Sequence, residues 1–252
     1  MPQVQRRVEL LAMTPNAVAL IYAAFRQCYH AGFVAEMWPR LLSGAVSPER
    51  QAEFIESVLL SGHVSPVEHV LFTFAAEGIS RALTHQLVRH RVASFSQQSQ
   101  RYVDNGAFGY IMPPALARIP EGAAEFTRCM EDLRGAYGRL KKLLEAAGRA
   151  EQAAEDARFV LPQAAETRIV FSMNCRSLLN FFEQRCCRRA QWEIRGLAES
   201  CLALCREALP VIFRRAGARC ERLGYCPEGE KFTCGRYPAA RPAALRAGKK
   251  GR

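Results

Sequence analysis

The stretch Arg89-His90-Arg91-Val92-Ala93-Ser94-Phe95-Ser96-Gln97-Gln98-Ser99-Gln100-Arg101-Tyr102 decides how the rest of the chain is read. Within fourteen residues it carries three arginines, one histidine, three serines and three glutamines, and no acid. An arginine presents a planar fork that matches a phosphate or a carbonyl edge, and serine hydroxyls add donors at short range. Such a segment suits an anion held together with a flat polar ring. A basic cluster of this kind is also what a solvated face or a nonspecific nucleic-acid patch looks like.

Working outward, helix signals dominate. Thr14-Pro15 reads as a cap followed by proline, opening a helix to about Tyr29, with Val18, Ile21 and Phe25 on its apolar side. Ser47-Pro48 repeats the signal, and Gly62 stops that second helix. Val70 to Phe74 is short, β-branched and aromatic, so it reads as a strand broken by Gly78. A helical period from Ile79 to about His90 then leads into the basic stretch, placing it at an element boundary, where sites concentrate. A long amphipathic helix follows Pro120 on the stripe Phe126, Met130, Leu133, Tyr137, Leu140 and Leu144. Thr167 to Met173 alternates as a second strand, and helices are expected over 176–187 and 190–209. The expected fold class is therefore α+β: a helix-rich single domain over residues 1–234 with a small, mostly antiparallel sheet.

Composition narrows the class. At 252 residues, 49% hydrophobic and 23% charged, the chain is globular. No apolar run approaches the roughly 20 residues needed to cross a bilayer, and the N-terminus is too polar for a signal peptide, so a cytoplasmic protein with no membrane partner is expected. Six of the eleven net positive charges lie in residues 235–252, a tail rich in Ala, Pro and Arg that reads as disordered and as the one place for nonspecific nucleic-acid contact. The ten cysteines should be reduced in that compartment. Cys220, Cys226 and Cys234 lack zinc-ligand spacing, so no metal is expected.

Arg89-His90-Arg91-x-x-Ser94-x-x-x-x-Ser99-x-Arg101 resembles the signature of the flavin-dependent thymidylate synthases. Ser61-Gly62-His63 through Glu68-His69, Arg158 to Pro162, Asn174 to Phe181 and Gln191 to Ile194 are similar to that family in the same order, over about residues 8 to 234. The resemblance implies an enzyme for thymidylate synthesis: a methyltransferase that converts dUMP to dTMP. Methylenetetrahydrofolate would give the carbon, FAD carry the hydride and NADPH act as reductant, in a homotetramer whose active sites are shared between subunits.

The resemblance also implies roles. Arg89, His90 and Arg91 fall at flavin positions, where positive groups favour the anionic reduced ring. Ser65 falls where a neighbouring subunit's hydroxyl meets FAD, and Gln97, Asn174, Cys175, Arg176 and Asn180 at further cofactor positions. Gln86, Leu87, Val88, Arg89, Gln97, Gln98, Ser99, Gln100, Arg101 and Arg158 match dUMP-binding positions. Arg185 is the expected catalytic residue: it faces the uracil in relatives, where its charge would make C5 nucleophilic. Ser94 and Ser99 read as hydrogen-bonding groups rather than nucleophiles, Cys186 and Cys187 as packing residues, and Gln191-Trp192-Glu193 as structural. His63 and His69 read as local hydrogen-bonding groups, or as groups approaching the flavin. Ser96 and Gln97 depart from the Asn and Glu of many relatives, and Arg189 stands where some carry His.

Overall fold

A computed structural model describes residues 3–239. The elements run β1 (Arg7–Met13), α1 (Ala17–Tyr29), α2 (Val34–Leu42), α3 (Pro48–Leu60), β2 (Leu71–Ser80), α4 (Arg81–Leu87) and β3 (Ala93–Gln97). They continue with α5 (Pro114–Ala117), α6 (Pro120–Ala146), α7 (Ala153–Ala157), β4 (Glu166–Asn174), α8 (Cys175–Arg185), α9 (Trp192–Ala208), α10 (Pro210–Phe213) and α11 (Arg219–Leu223). The strands form one antiparallel sheet in the order β1-β2-β4-β3, so the chain is a helix-rich α+β protein. Burial alternates along the central strands, with Phe72, Phe74 and Ala76 buried on β2 and Thr167, Ile169, Phe171 and Met173 on β4. That period of two is the signature of strands with one face on a core.

By their internal contacts the described residues group into two compact units. The first contains residues 3–8, Ala75–Arg89 and Phe95–Phe171. Its core packs Phe108, Tyr110, Met112, Met130 and Ala165, with Phe126 and Leu133 of α6 against them. The second contains residues 9–74, 90–94 and 172–239. There α1 packs on α2 and α3, and α8 on α9 and α11, around Phe72, Phe182 and Phe213, whose rings meet edge-on at 5.5 and 5.9 Å.

Four expectations shift. Thr14 does not cap α1; its Oγ1 accepts the Leu71 N–H at 2.9 Å, and Asn16 in the left-handed region, φ 53°, opens the helix instead. Gly78 does not break β2. At φ +64° it lies so close to the Gln5 carbonyl that a Cβ would overlap it, and the strand runs on to Ser80. Helix α4 is correspondingly shorter than expected, capped by the Ser80 hydroxyl, which accepts the Leu83 N–H. Of the expected tail, residues 235–239 are placed: the Cys226 N–H donates to Pro238 O at 2.7 Å, and Arg236 pairs with Glu221 at 2.6 Å. The remainder, from residue 240, lies outside the described residues. Among the described residues no helix is long and apolar enough to cross a membrane.

Candidate functional site

Within the second unit, a cavity of about 790 Å³ collects His90, Arg91, Arg176, Asn180 and Arg185. Sequence separation between the basic stretch and α8 is about ninety residues, so only the fold brings these groups together. Asn174 makes the placement possible: its Oδ1 accepts the Ser177 N–H at 2.8 Å, capping α8 at its first turn. From that start, Arg176, Asn180 and Arg185 recur down the helix on the cavity side, while Leu178, Phe181 and Phe182 are buried on the other. The Ser177 hydroxyl donates to Val92 O at 3.1 Å and fastens the basic stretch to the same helix. Val92 itself sits at φ 62°, a left-handed conformation that is costly for a β-branched residue.

At the centre, the Arg185 Nε–H donates to His90 Nε2 at 2.9 Å. His90 is only 8% exposed and packs edge-on against Phe181 at 4.9 Å. Burial, and then the neighbouring Arg185 charge, lower its pKa from 6.5 to about 4. The imidazole is therefore neutral at pH 7, with its proton on Nδ1 and its Nε2 lone pair on the guanidinium. This bond uses Nε and leaves both terminal nitrogens of Arg185 available as donors. Burial lowers the Arg185 pKa as well, but a guanidinium remains charged.

The cavity wall is strongly cationic. Arg91, Arg176, Arg188, Arg189, Arg219 and Arg222 line it beside Arg185 and Arg236, against the acids Glu183 and Glu228. Glu183 is spent on Arg222 at 2.8 Å and Glu228 on Arg189 at 3.0 Å, where the Arg189 guanidinium also stands 4.7 Å from the Phe232 ring centre. Such a set suits a large anionic ligand with a flat, polar-edged ring. Cys187, Cys220, Cys226 and Cys234 reach the same wall, yet no group of three potential ligands among the described residues could hold a metal ion. Burial pushes the Cys186 thiol up to about 12, which agrees with a packing role rather than a nucleophile.

Five expected cofactor residues, Ser65, Arg89, Gln97, Asn174 and Cys175, do not line this cavity. Asn174 is occupied as the cap. Cys175 is fully buried, its thiol pushed up by desolvation and its N–H donated to Val70 O at 2.9 Å. Ser65 is exposed at the head of a single 3₁₀ turn, Ser65–His69, where His63 Nε2 meets its Oγ at 3.2 Å.

The first unit holds the residues expected at the nucleotide other than Arg185. Arg89 and Val88 are exposed at the end of α4, whereas the Leu87 side chain is in the core, leaving only its backbone for a ligand. After β3 the chain turns through Gln98, Ser99, Gln100 and Arg101, with the Arg101 N–H donating to Ser99 Oγ at 3.2 Å. The turn is anchored from α6, where Tyr137 donates to Asp104 at 3.3 Å and Lys141 at 2.9 Å, the latter holding the Asp104 carboxyl below its usual range. Arg101 pairs with Glu155 at 2.9 Å. Gln97 is occupied internally: its amide donates to Thr84 Oγ1 at 3.0 Å and to Thr167 Oγ1 at 3.2 Å. A glutamate here could donate to neither hydroxyl and would have to accept from them instead.

Arg81 is a residue that sequence reasoning missed. Burial, and then the charge of Arg158, lower its pKa. Neither guanidinium pairs with a carboxylate among the described residues. Two neighbouring cations without a counter-ion favour a nearby anion. Sequence alone offered only Ser80-Arg81, read as the inside of a helix rather than its first residue.

A family model described as thymidylate synthase complementing protein matches residues 9–211. The chain is similar to the flavin-dependent thymidylate synthase of Nitratidesulfovibrio vulgaris, 67% identical over 239 residues that cover 94% of this chain and 98% of that protein. It is 45% identical over 239 residues to the enzyme of that name from Clostridium tetani, covering 91% and 93%. The corresponding protein of Geobacter sulfurreducens is 43% identical over 232 residues, covering 91% and 94%.

Proposed function

The chain belongs to the flavin-dependent thymidylate synthase family, and on that premise we propose how its residues divide the work of turning dUMP into dTMP. It is an enzyme that uses FAD, with methylenetetrahydrofolate and NADPH as co-substrates. The second-unit cavity fits FAD chemically. Arg91, Arg176 and Arg188 would meet the pyrophosphate, and Asn180, with one donor group and one acceptor, a polar ring edge. His90 lines the same cavity. Bound there, the flavin supplies hydride chemistry that no amino-acid side chain can perform.

Arg185 is the residue we assign to the uracil. Its Nε is fixed by neutral His90, so its charge is aimed without being neutralised by an acid. Beside a pyrimidine carbonyl, that charge stabilises negative charge on the ring and so makes C5 the nucleophile; no covalent enzyme intermediate is needed. In the first unit, Arg81, Arg158, Ser99, Gln100, Arg101 and Gln86 form the proposed phosphate side. A phosphate there would supply the counter-ion that Arg81 and Arg158 lack, and would compete with Glu155 for Arg101.

Active sites shared between subunits of a homotetramer are consistent with Ser65. It is exposed and absent from the cavity wall of its own chain, so it is free to serve a neighbour's flavin. The observation that carries the whole reading is the Arg185–His90 bond inside a cationic cavity. Purified protein should show the visible absorption of bound flavin and release tritium from 5-tritiated dUMP only with the folate and NADPH present. A colourless protein that takes up no FAD on titration would remove the assignment of the cavity.

A further inference from the structure

Tyr29 is the last residue of α1 and is 63% exposed, an unusual place for an ordered aromatic ring. Its hydroxyl lies 2.8 Å from His63 Nδ1, and the other ring nitrogen of His63 lies 3.2 Å from Ser65 Oγ. Phe25, one helical turn earlier, and Tyr29 both meet the imidazole edge-on, at 5.4 and 5.7 Å. Gly62 at φ +89° turns the chain after α3 so that His63 comes back to α1. Pro66 and Val67, just beyond Ser65, are buried and hold the following turn in place. The imidazole is thus fixed by its packing and by both nitrogens, and the remaining freedom is the position of the proton.

Two tautomers satisfy this chain. In one, the phenol donates to Nδ1 and Nε2–H donates to Ser65, so the serine proton is left for an outside acceptor. In the other, Ser65 spends its proton on Nε2 and can only accept. A phenol is the stronger donor of the two hydroxyls, so the first arrangement is favoured. We propose that Tyr29 is a positioning residue that, through His63, keeps the Ser65 hydroxyl as a donor toward an acceptor atom of the flavin cofactor. This rests on the reading of Ser65 as a flavin contact and adds two features to it: the polarity of the contact and the residue that sets it. The ligand atom that Ser65 meets is accordingly a carbonyl, ring-nitrogen or phosphate acceptor, not an N–H.

The test is a double-substitution cycle on the full-length protein, read as FAD affinity from quenching of flavin fluorescence on adding apoenzyme. Tyr29→Phe keeps the ring and removes the donor. It should weaken FAD binding about fivefold, the size expected for one neutral hydrogen bond. The same change in a Ser65→Ala background should add nothing, because the hydroxyl it acts on is gone. Equal weakening in both backgrounds would make Tyr29 merely structural and overturn the proposal, as would an unchanged affinity in Tyr29→Phe alone. Full affinity in Ser65→Ala would instead refute Ser65 as a flavin contact, and the relay would fall with it. Rescue of Tyr29→Phe by Ser65→Thr, which retains the hydroxyl, is not expected.

Discussion

His90 makes the stability of the apoenzyme depend on pH in a direction that can be worked out. Its pKa in the folded chain is about 4, below the ordinary 6.5, so the unfolded chain binds the proton more tightly. Stability is therefore fully present above pH 6.5 and declines as pH falls from 6.5 toward 4. Taken whole, the displacement would make the loss between pH 7 and pH 5 about 2 kcal/mol. Solvent in the cavity screens part of it, and about 1 kcal/mol is the expected size. His90→Gln keeps an acceptor for Arg185 but removes the titration. Urea midpoints of both proteins should be followed over this range at fixed protein concentration, since assembly also contributes to stability. The gap between them should change by about 1 kcal/mol, wild type losing more at pH 5, while all other titrating groups cancel. Parallel curves would show that His90 is not held neutral against Arg185, and the argument for how Arg185 is aimed would fail.

Two further outcomes follow from the first unit. Arg81→Ala and Arg158→Ala should each raise KM for dUMP about tenfold or more, the size of a lost charge-assisted contact, while bound flavin is unchanged; loss of flavin would move this pair to the cofactor. Gln97→Ala should cost about 1–2 kcal/mol in urea unfolding because two hydroxyls lose their donor, and Gln97→Glu less, since the Thr167 hydroxyl can rotate to donate while that of Thr84 stays on the Arg81 carbonyl. Equal losses in the two Gln97 variants would contradict that rotation.

Helix α6 was legible because Met130 and Tyr137 repeat at helical spacing, and α3 because Ser47-Pro48 places both its cap and its first residue. Strand β1 was not: Arg7–Met13 sits at the sheet edge with no residue fully buried, and its alternation is lost after Leu11, leaving a period too short to read. Nor was α2, in which Pro39 stands inside a nine-residue helix and reads as a breaker. The six-residue pattern from Arg89 to Arg101 located the basic stretch, the Asn174–Phe181 resemblance located α8, and the fold brought His90, Arg91, Arg176, Asn180 and Arg185 into one cavity. The C-terminal contribution of Arg219, Arg222 and Arg236 lies beyond residues 9–211 that the family model matches, and none of the motifs quoted from the sequence includes it. Arg81 and Tyr29 escaped for another reason: each matters through one spatial neighbour, Arg158 and His63, far away in sequence.

The central claim is that Arg185 acts on the nucleotide while the rest of the cavity holds the flavin. Arg185→Ala separates the two, provided the flavin absorption of the purified variant and tritium release from 5-tritiated dUMP are measured on the same sample. Flavin bound at the wild-type ratio with tritium release abolished is the expected result. A variant that loses its flavin, or one that releases tritium at the wild-type rate, would contradict it.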